Sequence, residues 1–134
     1  MTSIRSEKTA LRVASLVTAL NVVVACGFSL AGMLSPSAIL PPGASPTTAS
    51  EIFAMYAAAR TVPLALITLA TLGRKSWMLP LGTLAGAAQL LDAGVGLFQH
   101  DVGKTIGPLF IAVLQFLALI NLVRPANSVS DRRG

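Results

Sequence analysis

The chain has 134 residues, a net charge of +5, 54% hydrophobic side chains and only 11% charged ones. An ordinary globular domain carries about 25% charged residues, and a soluble protein of this size must cover a large surface with polar groups. Length therefore predicts one domain, composition predicts a membrane protein, and a soluble class is excluded. The basic balance does not point to nucleic acid. Residues 13–50, 76–91 and 105–123 hold no charge at all, and the Lys and Arg residues sit at the ends of apolar runs. A nucleic-acid face needs a continuous basic stripe.

A helix crossing a hydrocarbon core of ~30 Å needs about 20 apolar residues. Four runs meet that length: residues 11–34, 51–72, 77–98 and 105–123. They predict an all-α protein, an antiparallel bundle of four transmembrane helices. Residues 1–10 form a short N-terminal segment, and the tail from Arg124 through residues 125–134 reads as disordered. The connection over residues 35–50 holds four prolines and no charge, so it stops one helix and starts the next. Thr48 followed by Glu51 fits a capping box for the second helix. Gly73 to Ser76 and Gln99 to Lys104 are short turns, and Trp77 marks a membrane interface.

With four spans, Arg5, Lys8, Arg12, Arg74, Lys75, Arg124, Arg132 and Arg133 fall on one side and Lys104 alone on the other. That asymmetry predicts both termini in the cytoplasm of a bacterial inner membrane. A cleaved signal peptide is the rival reading, and Val23 to Cys26 fits a lipoprotein cleavage pattern. Against it, the apolar sequence runs on past Cys26 to Leu34, and cleavage would leave three spans that break the charge rule.

Cys26 is the one cysteine and His100 the one histidine. They form neither a redox pair nor a metal set, so no metal and no cofactor are expected. The informative groups lie inside the spans. An ionised side chain there costs at least ~2.5–3.5 kcal/mol and normally faces the bundle interior. Arg60 in the second span lies about 13 Å below its outer end, and Asp92 in the third about 9 Å. Consecutive helices are usually neighbours, so an Arg60–Asp92 ion pair is expected in the outer half of the bundle. Gln89 lies one turn from Asp92 and Tyr56 one turn from Arg60. Gln115 in the fourth span and Asn21 in the first complete a polar cluster drawn from all four helices. Glu51, His100 and Asp101 would stand at its outer mouth.

A plainer reading stands beside this one, because buried amides and ion pairs also fix helix register without binding anything. Gly82 and Gly86 form a small-xxx-small pair suited to close packing within the bundle or between two copies. Pro63, three residues after Arg60, frees a backbone carbonyl and could kink the helix beside the cluster.

The four short spans, with Tyr-Ala-Ala-Ala-Arg over residues 56–60 and Gln-Leu-Leu-Asp over 89–92, resemble the DoxX-like (DoxD-like) family over about residues 10–124. These are small four-helix bacterial membrane proteins, largely of unknown function, some linked to membrane redox complexes and quinone-coupled thiosulfate oxidation. The resemblance implies that Arg60 and Asp92 carry the family pattern. The residues themselves identify no quinone site.

The expected function is a non-catalytic accessory or ligand-binding subunit of the inner membrane. Its partners would be the lipid bilayer, a membrane protein or a second copy, and a lipophilic small molecule, with no nucleic acid. One alternative is an enzyme on a lipophilic or quinone-like substrate, with Asp92 as base and Arg60 stabilising an anion. Another is an oligomeric transporter of small solutes. An enzyme needs Asp92 free in an enclosed pocket. A transporter needs a wet path to both faces, and an accessory needs a filled bundle with a partner groove.

Overall fold

The computed structural model describes the backbone of residues 2–124 and the side chains of residues 6–124. Four helices account for nearly all of it: α1 (Thr2–Leu34), α2 (Thr48–Ala70), α3 (Lys75–Phe98) and α4 (Val102–Val123). No strand occurs among the described residues. Each helix contains a stretch long and apolar enough to cross a membrane, beginning at Ser6 in α1. The chain is a multi-pass membrane protein in composition and in element length. The segment expected before the first span is helical from Thr2 and continuous with it. The tail over residues 125–134, with Arg132 and Arg133, lies outside the described residues.

The helices meet through small residues. Met78, Gly82, Ala85, Gly86, Gln89, Ala93 and Gly96 form the buried stripe of α3, spaced by three and four residues. An ideal Cβ on Gly82 would lie 2.8 Å from Gln115 Nε2 and 2.9 Å from Leu119 Cδ2. One on Gly86 would lie 2.9 Å from Phe116 Cζ. The glycine pair thus admits α4 to the backbone of α3, as small residues do where lipid tails supply no drive for helix association. α2 buries Ala54, Ala58, Ala65 and Thr68 at the same spacing. That face rests mainly on α1, and α2 makes no extensive contact with α3 or α4. α1 is therefore the common support, touching each of the other three helices. Pro63 is accommodated within a continuous α2.

The turns follow local chemistry. α2 is capped one residue earlier than the sequence suggests. The Thr47 hydroxyl accepts from the Ser50 N–H at 3.2 Å, and the Ser50 hydroxyl accepts from the Thr47 N–H at 2.9 Å. The third helical position is then Ser50, which leaves Glu51 outside the box. At the α2–α3 turn, Gly73 adopts φ +80 and its N–H donates to Ser15 Oγ at 3.1 Å. Lys75 Nζ pairs with Glu7 at 2.6 Å nearby. These contacts hold the α2–α3 turn against the first part of α1.

The α3–α4 turn is closed by His100 at φ 54, a left-handed conformation normally given to glycine. His100 N–H bonds Leu97 O and Asp101 N–H bonds Gly96 O, both at 3.0 Å, which completes a Schellman motif. His100→Gly is expected to raise stability by about 0.5–1 kcal/mol, because the Cβ clash of the left-handed region disappears. A melting temperature in detergent that falls or stays level would overturn this account of the turn.

Asp101 then caps α4, accepting from the Lys104 N–H at 3.0 Å. That hydrogen bond, with the neighbouring Lys104 charge, holds its carboxyl below the usual carboxylate range. A group with a depressed folded pKa contributes stability above its unfolded pKa and loses it as pH falls through the folded value. The Asp101 contribution is thus present above about pH 4 and lost on acidification below it. Asp101→Asn keeps a capping oxygen, so this variant should flatten the stability profile below pH 4 and keep the fold. An unchanged acid limb would show that the cap is not the titrating group.

Candidate functional site

Two polar features lie inside the fold. The first is a chain of hydrogen bonds through α1, α3 and α4. Gln89 Nε2 donates to Asn21 Oδ1 at 2.9 Å, and Asn21 Nδ2 donates to Gln115 Oε1 at 3.2 Å. Gln115 Nε2 then donates to Thr18 Oγ1 at 2.8 Å. All four side chains are buried, and no buried side-chain nitrogen or oxygen among the described residues lacks a partner. Gln115 fits because Gly82 and Gly86 have no side chain in its way. These groups do not titrate near neutral pH. A saturated network of amides fixes helix register and neighbours rather than moving protons.

The second feature is a cleft of about 520 Å³ between α2 and α3, with α1 behind it and the start of α4 at one end. Its walls are mainly apolar, from Val22, Phe28, Leu64, Ala85 and Ile111 among others. Asn21 and Gln89 join the network to its lining. The size and the apolar character suit a small-molecule site. The cleft exists because α2 packs mainly on α1 and the short turn at residues 36–38, so most of the space where α2 would meet α3 stays open.

Asp92 and Lys104 are the charged residues lining the cleft. Lys104 is already partnered. Its ammonium donates to the Ile39 carbonyl at 2.8 Å and to Gln99 Oε1 at 3.0 Å, and lies 3.5 Å from Asp101 Oδ2. It straps the 35–47 connection to the α3–α4 turn. Asp92 has no hydrogen bond or ion pair among the described residues.

The expected cluster is thus divided. Asn21, Gln89 and Gln115 come together, and Asp92 lines the cleft one turn from Gln89. Arg60 and Tyr56 lie elsewhere. The ion pairs among the described residues are Lys75–Glu7 and Lys104–Asp101, so the Arg60–Asp92 pair is not formed. The physical reason is helical phase. Tyr56 and Arg60 each follow a buried alanine, Ala54 and Ala58, by two positions. Two residues turn a helix by about 200°. Both side chains therefore project away from α1 on an exposed face. α2 and α3, consecutive in sequence, are also not packed as neighbours.

Sequence reasoning passed over Thr18 and the part played by Lys104. Thr18 could have been found from its place one turn before Asn21 on the same face. Lys104 could have been found as the one basic residue of its end of the bundle. The fold and the cleft together describe a small multi-pass membrane protein with a mainly apolar cleft between its helices. The chain matches no family model, no curated protein and no solved structure.

Proposed function

We propose that this chain is a bacterial inner-membrane protein of the DoxX-like kind that binds a lipophilic small molecule in the α2–α3 cleft, as a non-catalytic accessory or binding subunit. The cleft carries this reading: about 520 Å³ of mainly apolar space within a polypeptide of membrane composition. Its polar groups are a carboxylate, a partnered ammonium, amides and hydroxyls, a set suited to holding a ligand. The stretches Tyr56–Arg60 and Gln89–Asp92 support the family reading.

The helices run antiparallel, with both termini in the cytoplasm. Gly82 lies opposite Leu119, Gly86 opposite Phe116 and Gly96 opposite Lys104, a descending order that supports opposed α3 and α4. The Lys75–Glu7 pair and the Gly73–Ser15 bond bring basic residues 74 and 75 to the same end as Lys8 and Arg12, in line with the charge rule.

One experiment tests both parts. In a Cys26→Ser background, a membrane-impermeant maleimide should label Ser37→Cys on intact cells and Arg74→Cys only after permeabilisation. In nanodiscs, a neutral solvatochromic dye should bind the protein in the cleft. Ala57→Trp, which fills the cleft from its exposed α2 wall, should abolish that binding without unfolding the protein. Labelling with the sides reversed would refute the orientation, and dye binding unaffected by Ala57→Trp would refute the cleft as the site.

A second reading is favoured by Arg60, which lies on the outward face of α2, about 15 Å from its C-terminal end. A guanidinium facing lipid at that depth is costly, so this face supports contact with another membrane helix.

A further inference from the structure

We propose that the α2–α3 cleft selects lipophilic cations, with Asp92 as their counter-ion. The inference rests on the reading of the cleft as a ligand site and adds the charge of the ligand. Two charged side chains line that space, Asp92 and Lys104. The Lys104 ammonium donates to Ile39 O and Gln99 Oε1 and forms an ion pair with Asp101 Oδ2 at 3.5 Å. Its charge is already paired with Asp101, and two of its donors are held by Ile39 O and Gln99 Oε1, so it is not an unpaired cation awaiting an anion.

Asp92 is in the opposite state. It stands about 9 Å inside the end of α3, and its carboxylate has no partner among the described residues. The groups facing the cleft from the packed elements do not compensate it. α1 supplies Asn21 and Ser29, and α2 supplies Thr61 and Thr68, none of them titratable. Asn21 is also committed to the buried network. From α4 and the preceding turn come Lys104 and Gln99, which are bonded to one another. The cleft therefore carries one carboxylate, exposed at its open side and without a partner, among mainly apolar walls. A charge in such surroundings is neutral only when it holds a proton or faces a cation. A permanently charged cation with a greasy surface satisfies both parts of the site, its charge at Asp92 and its apolar body along Phe28, Leu64 and Ile111. A small hydrated cation satisfies only the first.

Protons and cations would compete for the same carboxylate. Binding should therefore release a proton when Asp92 is protonated beforehand, and affinity should fall as pH falls. The limiting slope is tenfold per pH unit below the pKa of the group. An anion of the same shape should be rejected.

The test is equilibrium binding of radiolabelled tetraphenylphosphonium to the full chain in nanodiscs, with empty nanodiscs subtracted. Tetraphenylborate supplies the anionic isostere and a neutral dye the uncharged control. The expected result is saturable phosphonium binding that weakens with acid, and no saturable borate binding. Asp92→Asn should lose phosphonium affinity by about tenfold or more, keep the neutral dye and remove the pH dependence. Asp92→Glu should restore much of the affinity. If the dye binds and phosphonium binds equally well to Asp92→Asn, the cation proposal fails and the cleft reading stands. If neither ligand binds saturably, the cleft reading itself has failed. Circular dichroism of both variants excludes unfolding, since Asp92 makes no contact on which the fold depends.

Discussion

Gln115→Leu is expected to destabilise the protein by about 1–3 kcal/mol, the first of two large effects. The side chain has nearly the right volume to be replaced without a void, so the loss measures hydrogen bonding more than packing. Gln115 is the junction of the buried network, accepting from Asn21 and donating to Thr18. Its removal leaves the Asn21 amide N–H group without an acceptor in a fully buried place. An average interhelical hydrogen bond in a membrane protein is worth only ~0.6 kcal/mol. The larger figure is expected because an orphaned donor also bears its desolvation cost. Thr18 suffers less, since its hydroxyl can turn to a carbonyl of its own helix. Asn21→Leu combined with Gln115→Leu should cost clearly less than the sum of the single changes, the sign of one shared interaction. Unfolding in mixed micelles, followed by circular dichroism, reads all three variants. Strict additivity would show that the amides act independently, and the network would then not be what holds α1, α3 and α4 in register.

Gly96→Ala is expected to cost more than its single methyl group suggests, about 1–3 kcal/mol or above. A Cβ at this position would run into the backbone of Lys104 and lie 2.6 Å from the Thr105 N. Backbone cannot rotate aside as a side chain can, so α4 must move away from α3 at its first turn. That movement also strains the Schellman closure through Gly96 O and the Asp101 cap. Two residues earlier the same substitution has the opposite expectation. Gly94 has open space where its Cβ would be, so Gly94→Ala should be neutral or stabilise by up to about 1 kcal/mol through helix propensity. Thermal unfolding of the pair in one detergent decides the matter. Equal effects would mean that the α3–α4 approach is looser than the Gly96 contact indicates.

Both results bear on how the cleft is kept open. α3 and α4 are locked together by glycines and by Gln115, and α1 is bonded into that pair through Asn21 and Thr18. α2 takes no part in the network and packs on α1 through small residues. The site is therefore a gap beside a hydrogen-bonded three-helix unit, bridged at one end by Lys104 and Ile39. An occupant would meet hydrogen-bonded helices on the α1 and α3 side and α2, outside that network, on the other.

Much of this protein is decided by local sums along the sequence. Apolar runs of membrane length, the charges at their ends, and the proline-rich connection are each properties of a few adjacent residues, and the helices follow within a few positions except at the start of α1, which begins nine residues earlier, at Thr2. Membership of Asn21, Gln89 and Gln115 in one polar core was legible for a related reason. An amide in a span has few places to go except toward another amide. Which helices touch, and which faces they turn inward, was decided only by the tertiary structure. In a soluble helix the polar face marks the outside. Here lipid is as apolar as the core, so hydropathy does not distinguish the face toward α1 from the face toward the bilayer. The choice falls to shape. Ala54, Ala58 and Ala65 bring α2 close to α1 and thereby turn Tyr56 and Arg60 outward. The glycines of α3 bring α4 to it in place of α2. Adjacency in sequence suggested an Arg60–Asp92 pair. Steric fit between small residues separated the two and left Asp92 alone in the cleft.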